Sequence, residues 1–265
     1  MKKRLKDIFD ADRSTEDYAS AVYNEFGLST DKHYDLLVVA PGWKPTKIMA
    51  GFDVDVVTTM THSYISGYEV KGDGFLIAWI QTSPGSCSLI DELSLCAFLD
   101  FDKLIFVGAV GSLTDEIGIG EICTPSYSIS GNLANGYLME DITEYKPFRK
   151  VYPNSPEFVE SVIGLIRETG YEILQVPVFC TDSVLCEYAH MDFIRSFDVS
   201  LIEMETSSFY LMADLMEKPA AAILVVSDNS ATGDSLVLRT PEQKEIYNRS
   251  RFKAIPEILL RIVSK

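Results

Sequence analysis

Three uninterrupted apolar runs constrain this chain most: YDLLVVAPG at 34–42, KLIFVGAVG at 103–111 and AAAILVVSD at 220–228. None alternates apolar with polar residues, so each reads as a strand buried on both faces. Each also stops abruptly, at Pro41-Gly42, at Gly108–Gly111 and at Ser227-Asp228. Between such strands lie stretches of helical period, among them SLIDELSLCAFLD, with Leu89, Ile90, Leu93, Leu95, Cys96 and Phe98, and PEFVESVIGLIRETG, closed by Gly170. Strands alternating with helices predict a single α/β domain. Its mixed, mostly parallel central sheet is flanked by helices in three α/β/α layers.

The remaining elements fit that frame. VDVVTTM, YISGYEV and FLIAWI have hairpin-like spacing, and residues 126–153 read as a loop-rich excursion. YEILQVPVFCTD and VSLIEM are expected strands, with EYAHMDFIRSF and Thr206–Met216 as helices. The terminal helix, PEQKEIYNRSRFKAIPEILLRIV, should kink near Pro256. Residues 1–33 are polar and weakly helical and read as an N-terminal extension packed on a main domain at 34–265.

Charge and cysteines exclude several functions. With 39 acidic against 23 basic residues the formal charge is −16, the wrong sign for nucleic acid or an anionic membrane. Five scattered cysteines without a CxxC pair read as reduced thiols, and three well-separated histidines give no metal motif. MKKRLKDIFDADRSTED has basic residues but no apolar segment of a signal peptide, and no run approaches a bilayer's thickness. A cytoplasmic protein with neither metal nor organic cofactor is the expectation.

In a parallel sheet, ligands sit beyond the carboxyl ends of the strands. The ends that should meet around one cleft are Pro41-Gly42, Gly108–Gly111, Thr181-Asp182, Glu203–Glu205 and Ser227-Asp228. Glycines at 108 and 111 let backbone amides approach a ligand. Ser86, in PGSCS before a helix, offers either an anion site or an N-cap. Glu203 and Glu205, two apart, point to one side if the chain is extended there, and a carboxylate accepts two hydroxyls at once, as a ribose diol requires. Alternatively they decorate a helix N-terminus. Asp228 follows a buried strand, where desolvation lets a carboxyl keep its proton near neutrality, or else it caps the next loop.

In order and spacing, KLIFVGAVGSLTDEIGIGEI and IEMET…VVSDN resemble the nucleoside phosphorylase/nucleosidase superfamily over about residues 35–262. The resemblance implies a glycosyltransferase that moves ribose from a purine to inorganic phosphate, built as a homo-oligomer, either a dimer or a trimer of dimers. It implies Asp228, steadied by Ser227, as the acid for the departing base. It assigns the sugar and base to Glu203, Met204, Glu205, Phe179, Thr181, Val110 and His62. Phosphate would fall to Gly42, Lys47, Ser86, Gly108 and Ala109. The departures are specific. Phe106 stands where phosphorylases of this family place an arginine, and PGWKPTK offers only Lys44 and Lys47. Gly42-Trp43-Lys44 also lacks the glutamate of the hydrolytic relatives, and 171–190 lacks a glutamine–arginine pair of the uracil-reading kind. Phosphorolysis, hydrolysis of the same bond and nucleoside binding without turnover therefore remain the alternatives, with an unrelated α/β function behind them.

Overall fold

The three apolar runs become neighbouring parallel strands: β1 (His33–Val39), β5 (Asp100–Ser112) and β10 (Ala220–Asn229), with β5 between the other two. The computed structural model describes residues 1–12, 15 and 17–265. Arg13, Ser14 and Glu16, within the expected N-terminal extension, lie outside the described residues.

Why these runs are apolar at every position is visible in the partition of the core. Along β10, Ala220, Ala222, Leu224 and Val226 face one hydrophobic cluster, while Ala221, Ile223 and Val225 face the other. β1 divides likewise, with Leu37 and Val39 against Leu36 and Val38. Side chains alternate across a strand, so a strand covered on both faces needs apolar residues in both registers. One cover is made by α1 (Lys3–Ala11), α2 (Tyr18–Phe26), α4 (Ser86–Leu95) and α7 (Thr206–Met216), through Leu5, Phe26, Leu93, Phe209 and Met212. The other comprises α3 (Pro45–Ile48), α5 (Pro156–Glu168), α8 (Pro241–Arg249) and α9 (Ile255–Val263). Each fully buried large apolar side chain contributes about 2 kcal/mol. The expected three layers are present.

The sheet has ten strands among the described residues. β2 (Asp55–Thr61), β3 (Ser66–Gly72) and β4 (Phe75–Gln81) form an antiparallel meander that joins β1 in parallel through β4. On the other side, β6 (Ile122–Ser130), β8 (Leu174–Cys180) and β9 (Leu201–Glu203) run side by side. β6 also pairs antiparallel with β10, and β9 with the end of β5 at Gly111 and Ser112. That half of the sheet therefore curls until it closes, bringing several strand ends together.

Local expectations were corrected at two places, and the interruption expected near Pro256 takes a definite form. The 126–153 excursion contains the end of β6 and a further strand, β7 (Arg149–Val151), antiparallel to it, beside short 3₁₀ turns. The helix expected over 187–197 is a 3₁₀ turn at Cys186–His190 followed by α6 (Met191–Arg195), only five residues long. The kink near Pro256 is a π-helical segment, Ser250–Ala254, between α8 and α9. Proline at 256 cannot donate to the carbonyl four residues back, and the ladder widens just before it.

Candidate functional site

At the carboxyl ends of β5, β8, β9 and β10 lies a cavity of about 270 Å³ whose wall also includes Pro41, beyond β1. All five expected strand ends contribute, and Glu205 and Asp228 share this one hollow. So do Gly108, Ala109, Val110, Thr181, Glu203, Met204 and Ser227.

Asp228 is aimed by its neighbours. Ser227 Oγ lies 2.5 Å from Asp228 Oδ1 and 3.3 Å from the Val110 carbonyl, within donating reach of both. A side chain at Gly111 would put its Cβ 3.0 Å from Asp228 Oδ2, so glycine there leaves room for the carboxyl. Burial raises the Asp228 pKa, opposed by the Ser227 hydrogen bond and the Arg239 charge. An acid that holds its proton more tightly than a free aspartate is suited to donating it to a departing base.

Glu205 stands at the junction of β9 and α7, and its Oε1 accepts the Gly85 N–H at 2.5 Å. Burial, then the Glu203 charge, push its pKa up to about 8. Glu203 has a different task. Its Oε2 accepts the backbone N–H groups of Glu205 and Thr206, and its Oε1 accepts from the Thr206 hydroxyl and the Cys180 thiol. The chain turns at Glu205 (φ −133°, ψ −29°) instead of staying extended, yet both carboxyls reach the cavity and lie close enough for the Glu203 charge to act on Glu205. Glu203 satisfies the orphan amides that open α7, leaving it no free oxygen for a sugar hydroxyl.

A polar scaffold lies beneath. Asn132 donates to the carbonyls of Thr181 and Met204, Ser207 donates to Asn132, and Ser86 donates to the Met204 carbonyl while accepting from Ser208. Ser86 is thereby committed to protein partners, and it neither lines the cavity nor caps α4, whose N-cap is Gly85. Buried networks of this kind hold a loop in one conformation only when every member is paired.

Four other expected residues also stand apart from the cavity wall. Phe179 faces an adjoining cavity of about 300 Å³ and stacks on Phe148. Lys47 is exposed on α3, and the Gly42 N–H is used by the Thr82 carbonyl. His62 is exposed beyond β2, 3.4 Å from the Asn24 carbonyl. No lysine or arginine lines the cavity among the described residues; Phe106 does. Its ring lies where a Cβ at Gly108 would come within 2.8 Å, so this glycine also makes room for an aromatic ring.

Glu187, which the sequence reading passed over, lines the wall as well. A lone acid five residues past Asp182, among apolar neighbours, was the only signal for it. One histidine does join acids: His33, Asp35 and Asp102 bring ligand atoms within 4.8 Å of one another at the opposite end of β1, in a partly exposed cluster. No helix among the described residues is long and apolar enough to cross a membrane.

Comparison with known proteins places the fold and the lineage. The uridine phosphorylase of Vibrio fischeri ES114 superposes with a TM-score of 0.69 at 16% identity, over 89% of this chain and 95% of that one. Its complex with 6-hydroxy-1-naphthoic acid gives 0.69 at 14% identity over 88% and 91%, a likeness of fold. DeoD-type purine nucleoside phosphorylases are similar in sequence. That of Geobacillus stearothermophilus is 24% identical over 158 residues, 60% of this chain, and that of Bacillus subtilis strain 168 is 22% identical over 166, or 63%. The matches span 64% and 66% of those relatives' lengths. The profile of the phosphorylase superfamily matches residues 53–263, and the chain belongs to that superfamily.

Proposed function

We propose that this protein cleaves the N-glycosidic bond of a purine riboside, with inorganic phosphate as the ribosyl acceptor and no organic cofactor. The observation that carries the reading is the shared cavity of Glu205 and Asp228. Glu205 accepts the ribose diol with Met204 beside it. The bond from the anomeric carbon to the base breaks with its electron pair going to the base, and the Asp228 carboxyl delivers a proton to the purine's N7. Positive charge on the ribose is then quenched by an oxygen of phosphate, which forms the new bond. The names of the sequence relatives favour a purine, while those of the structural neighbours are uridine phosphorylases. A homo-oligomer working in the cytoplasm is part of the same reading.

One observation favours a second reading, hydrolysis. Glu187, Glu203, Glu205 and Asp228 line a cavity without a lysine or arginine, and Phe106 occupies the wall. A phosphate dianion leaves water only for several cationic or N–H donors. Here it would have the backbone amides near Gly108 and Ala109, together with any group a second subunit brings. The test is a panel of purine and pyrimidine nucleosides incubated with and without phosphate, with free base measured. Base released only with phosphate supports the first reading. Equal release in its absence supports hydrolysis. Binding without release would overturn both in favour of a nucleoside-binding protein.

A further inference from the structure

Arg4 reaches from α1 to a turn that supports the site from behind. Its Nε donates to the Leu138 carbonyl and its Nη2 to the Tyr137 carbonyl, both at 3.1 Å. Those carbonyls close the 3₁₀ turn Leu133–Leu138, where the last carbonyls have no partner within the turn itself. A guanidinium presents its donors as a rigid fork, so it fixes two neighbouring peptides at once, which an ammonium does not.

The same turn grips the peptides around Glu205. Asn135, fully buried, donates to the Ser207 hydroxyl at 2.9 Å and accepts from the Ser208 hydroxyl at 2.6 Å. Asn132, just ahead of the turn, donates to the Met204 carbonyl at 3.3 Å and accepts from the Ser207 hydroxyl. Ser207 and Ser208 belong to the first turn of α7, which Glu205 opens as its N-cap. On the outside the turn is open, with Leu133 65% and Tyr137 71% exposed. A short exposed turn opens cheaply unless something outside it holds it shut. α1 is seated without help from Arg4. Leu5 is fully buried in the core cluster of Phe209 and Met212, and the Lys2 N–H donates to the Leu215 carbonyl at 2.7 Å. The helix therefore holds the far end of α7 directly and the near end through Arg4.

We propose that Arg4 is a positioning residue for Glu205, acting through the 133–138 turn and its two asparagines. This rests on the function proposed above, in which Glu205 takes the ribose diol. Without Arg4 two carbonyls lose their donor, Asn132 and Asn135 loosen, and the Glu205 peptide drifts from its place, to which rate is steeply sensitive.

Base release from inosine, adenosine and their 2′-deoxy analogues is measured with phosphate at about pH 9, above the Glu205 pKa of about 8. The variants are Arg4→Ala, Arg4→Lys, Lys2→Ala, Glu205→Gln, and Arg4→Ala combined with Glu205→Gln. Arg4→Ala should lower kcat/KM roughly 5–10-fold for the ribosides and less than about 2-fold for the 2′-deoxyribosides. Arg4→Lys, with the charge but not the fork, should fall between, and it keeps the comparison open if the alanine variant folds poorly. Lys2→Ala removes only the exposed pair with Asp214 and should stay within about 2-fold of the wild type. In the Glu205→Gln background the further loss from Arg4→Ala should be under about 2-fold, because a residue acting through another is not additive with it. Additive losses, equal losses for the two sugars, or a Lys2→Ala variant as impaired as Arg4→Ala would reduce Arg4 to general stability and overturn the proposal. Hydrogen exchange gives a readout that needs no turnover: the Glu205 and Thr206 amides should exchange roughly 5-fold faster in Arg4→Ala. A wild type that releases no base while Arg4→Ala shows this acceleration overturns the catalytic reading alone. Unchanged exchange at both amides overturns the Arg4 assignment.

Discussion

The Gly85 amide and the Glu205 carboxylate, 120 positions apart in sequence, meet at 2.5 Å, joining the start of α4 to the start of α7. This bond uses Oε1, and the Met204 amide also lies within reach of the carboxyl, so two backbone N–H groups help to hold it. A group held so can take a diol with little ordering cost. Glu205→Gln keeps an acceptor for Gly85 and removes the ionisable carboxyl; the comparison is made at about pH 9, above the Glu205 pKa of about 8, where the wild-type group is charged. The expected outcome is a loss in kcat/KM of roughly 10-fold for ribosides and a smaller one for 2′-deoxyribosides, since one hydroxyl bond to a charged acceptor contributes about 1.5 kcal/mol. Equal losses for the two sugars would remove the diol role.

Asp228→Asn retains size and hydrogen bonding but has no proton to give. Turnover of purine nucleosides should fall by roughly 10²–10⁴-fold, the range for loss of a general acid, with riboside binding preserved in calorimetry. Ser227→Ala removes the hydroxyl beside the carboxyl and should lower turnover far less. Unchanged rates in Asp228→Asn would exclude it from the chemistry.

Most of the architecture was legible because it depends on burial, which leaves a strong pattern. A strand covered on both sides is apolar throughout, and the three such runs became β1, β5 and β10. The 3₁₀ turn at Cys186–His190 was harder, since a few residues carry too little periodicity to separate it from a helix. At the site, Asp228 and Glu205 were readable because a charged residue after a buried strand is rare, and Glu203 was legible only as to type. Whether it faces a ligand or the amides of Glu205 and Thr206 depends on one turn of backbone that spacing does not encode. Ser86 and Phe179 illustrate the same limit, as their neighbours Ser208 and Phe148 come from distant parts of the chain.

Three carboxyls carry pKa values raised mainly by burial: Glu205 to about 8, Glu187 and Glu92 to about 7. Each binds a proton more tightly in the folded chain than in the unfolded one, whose glutamates titrate near 4.5. Between those limits the folded state holds more protons, so stability must fall as pH rises. Thermal unfolding should show its midpoint dropping by roughly 5–10 °C from pH 5 to pH 8. Glu205→Gln should flatten the part of the decline nearest pH 8. A midpoint rising over this interval would contradict the burial of these groups.

Gly111 offers the most local test of the geometry. A Cβ there would lie 3.0 Å from Asp228 Oδ2 and 3.2 Å from the Ile202 side chain, so alanine forces a few tenths of an ångström of movement. Ile202 is pinned by the pairing of β9 with β5 and is 5% exposed, whereas the Asp228 carboxyl borders open space and is the group that yields. Reacting groups lose rate steeply with misplacement, about 10²-fold for 1 Å. Gly111→Ala should therefore cut kcat by roughly 10-fold with KM for the nucleoside nearly unchanged, because Glu205 and Met204 are untouched. It should also leave thermal stability almost as before. Were KM to rise while kcat held, Asp228 would be a binding group and its place as the proton donor would be lost.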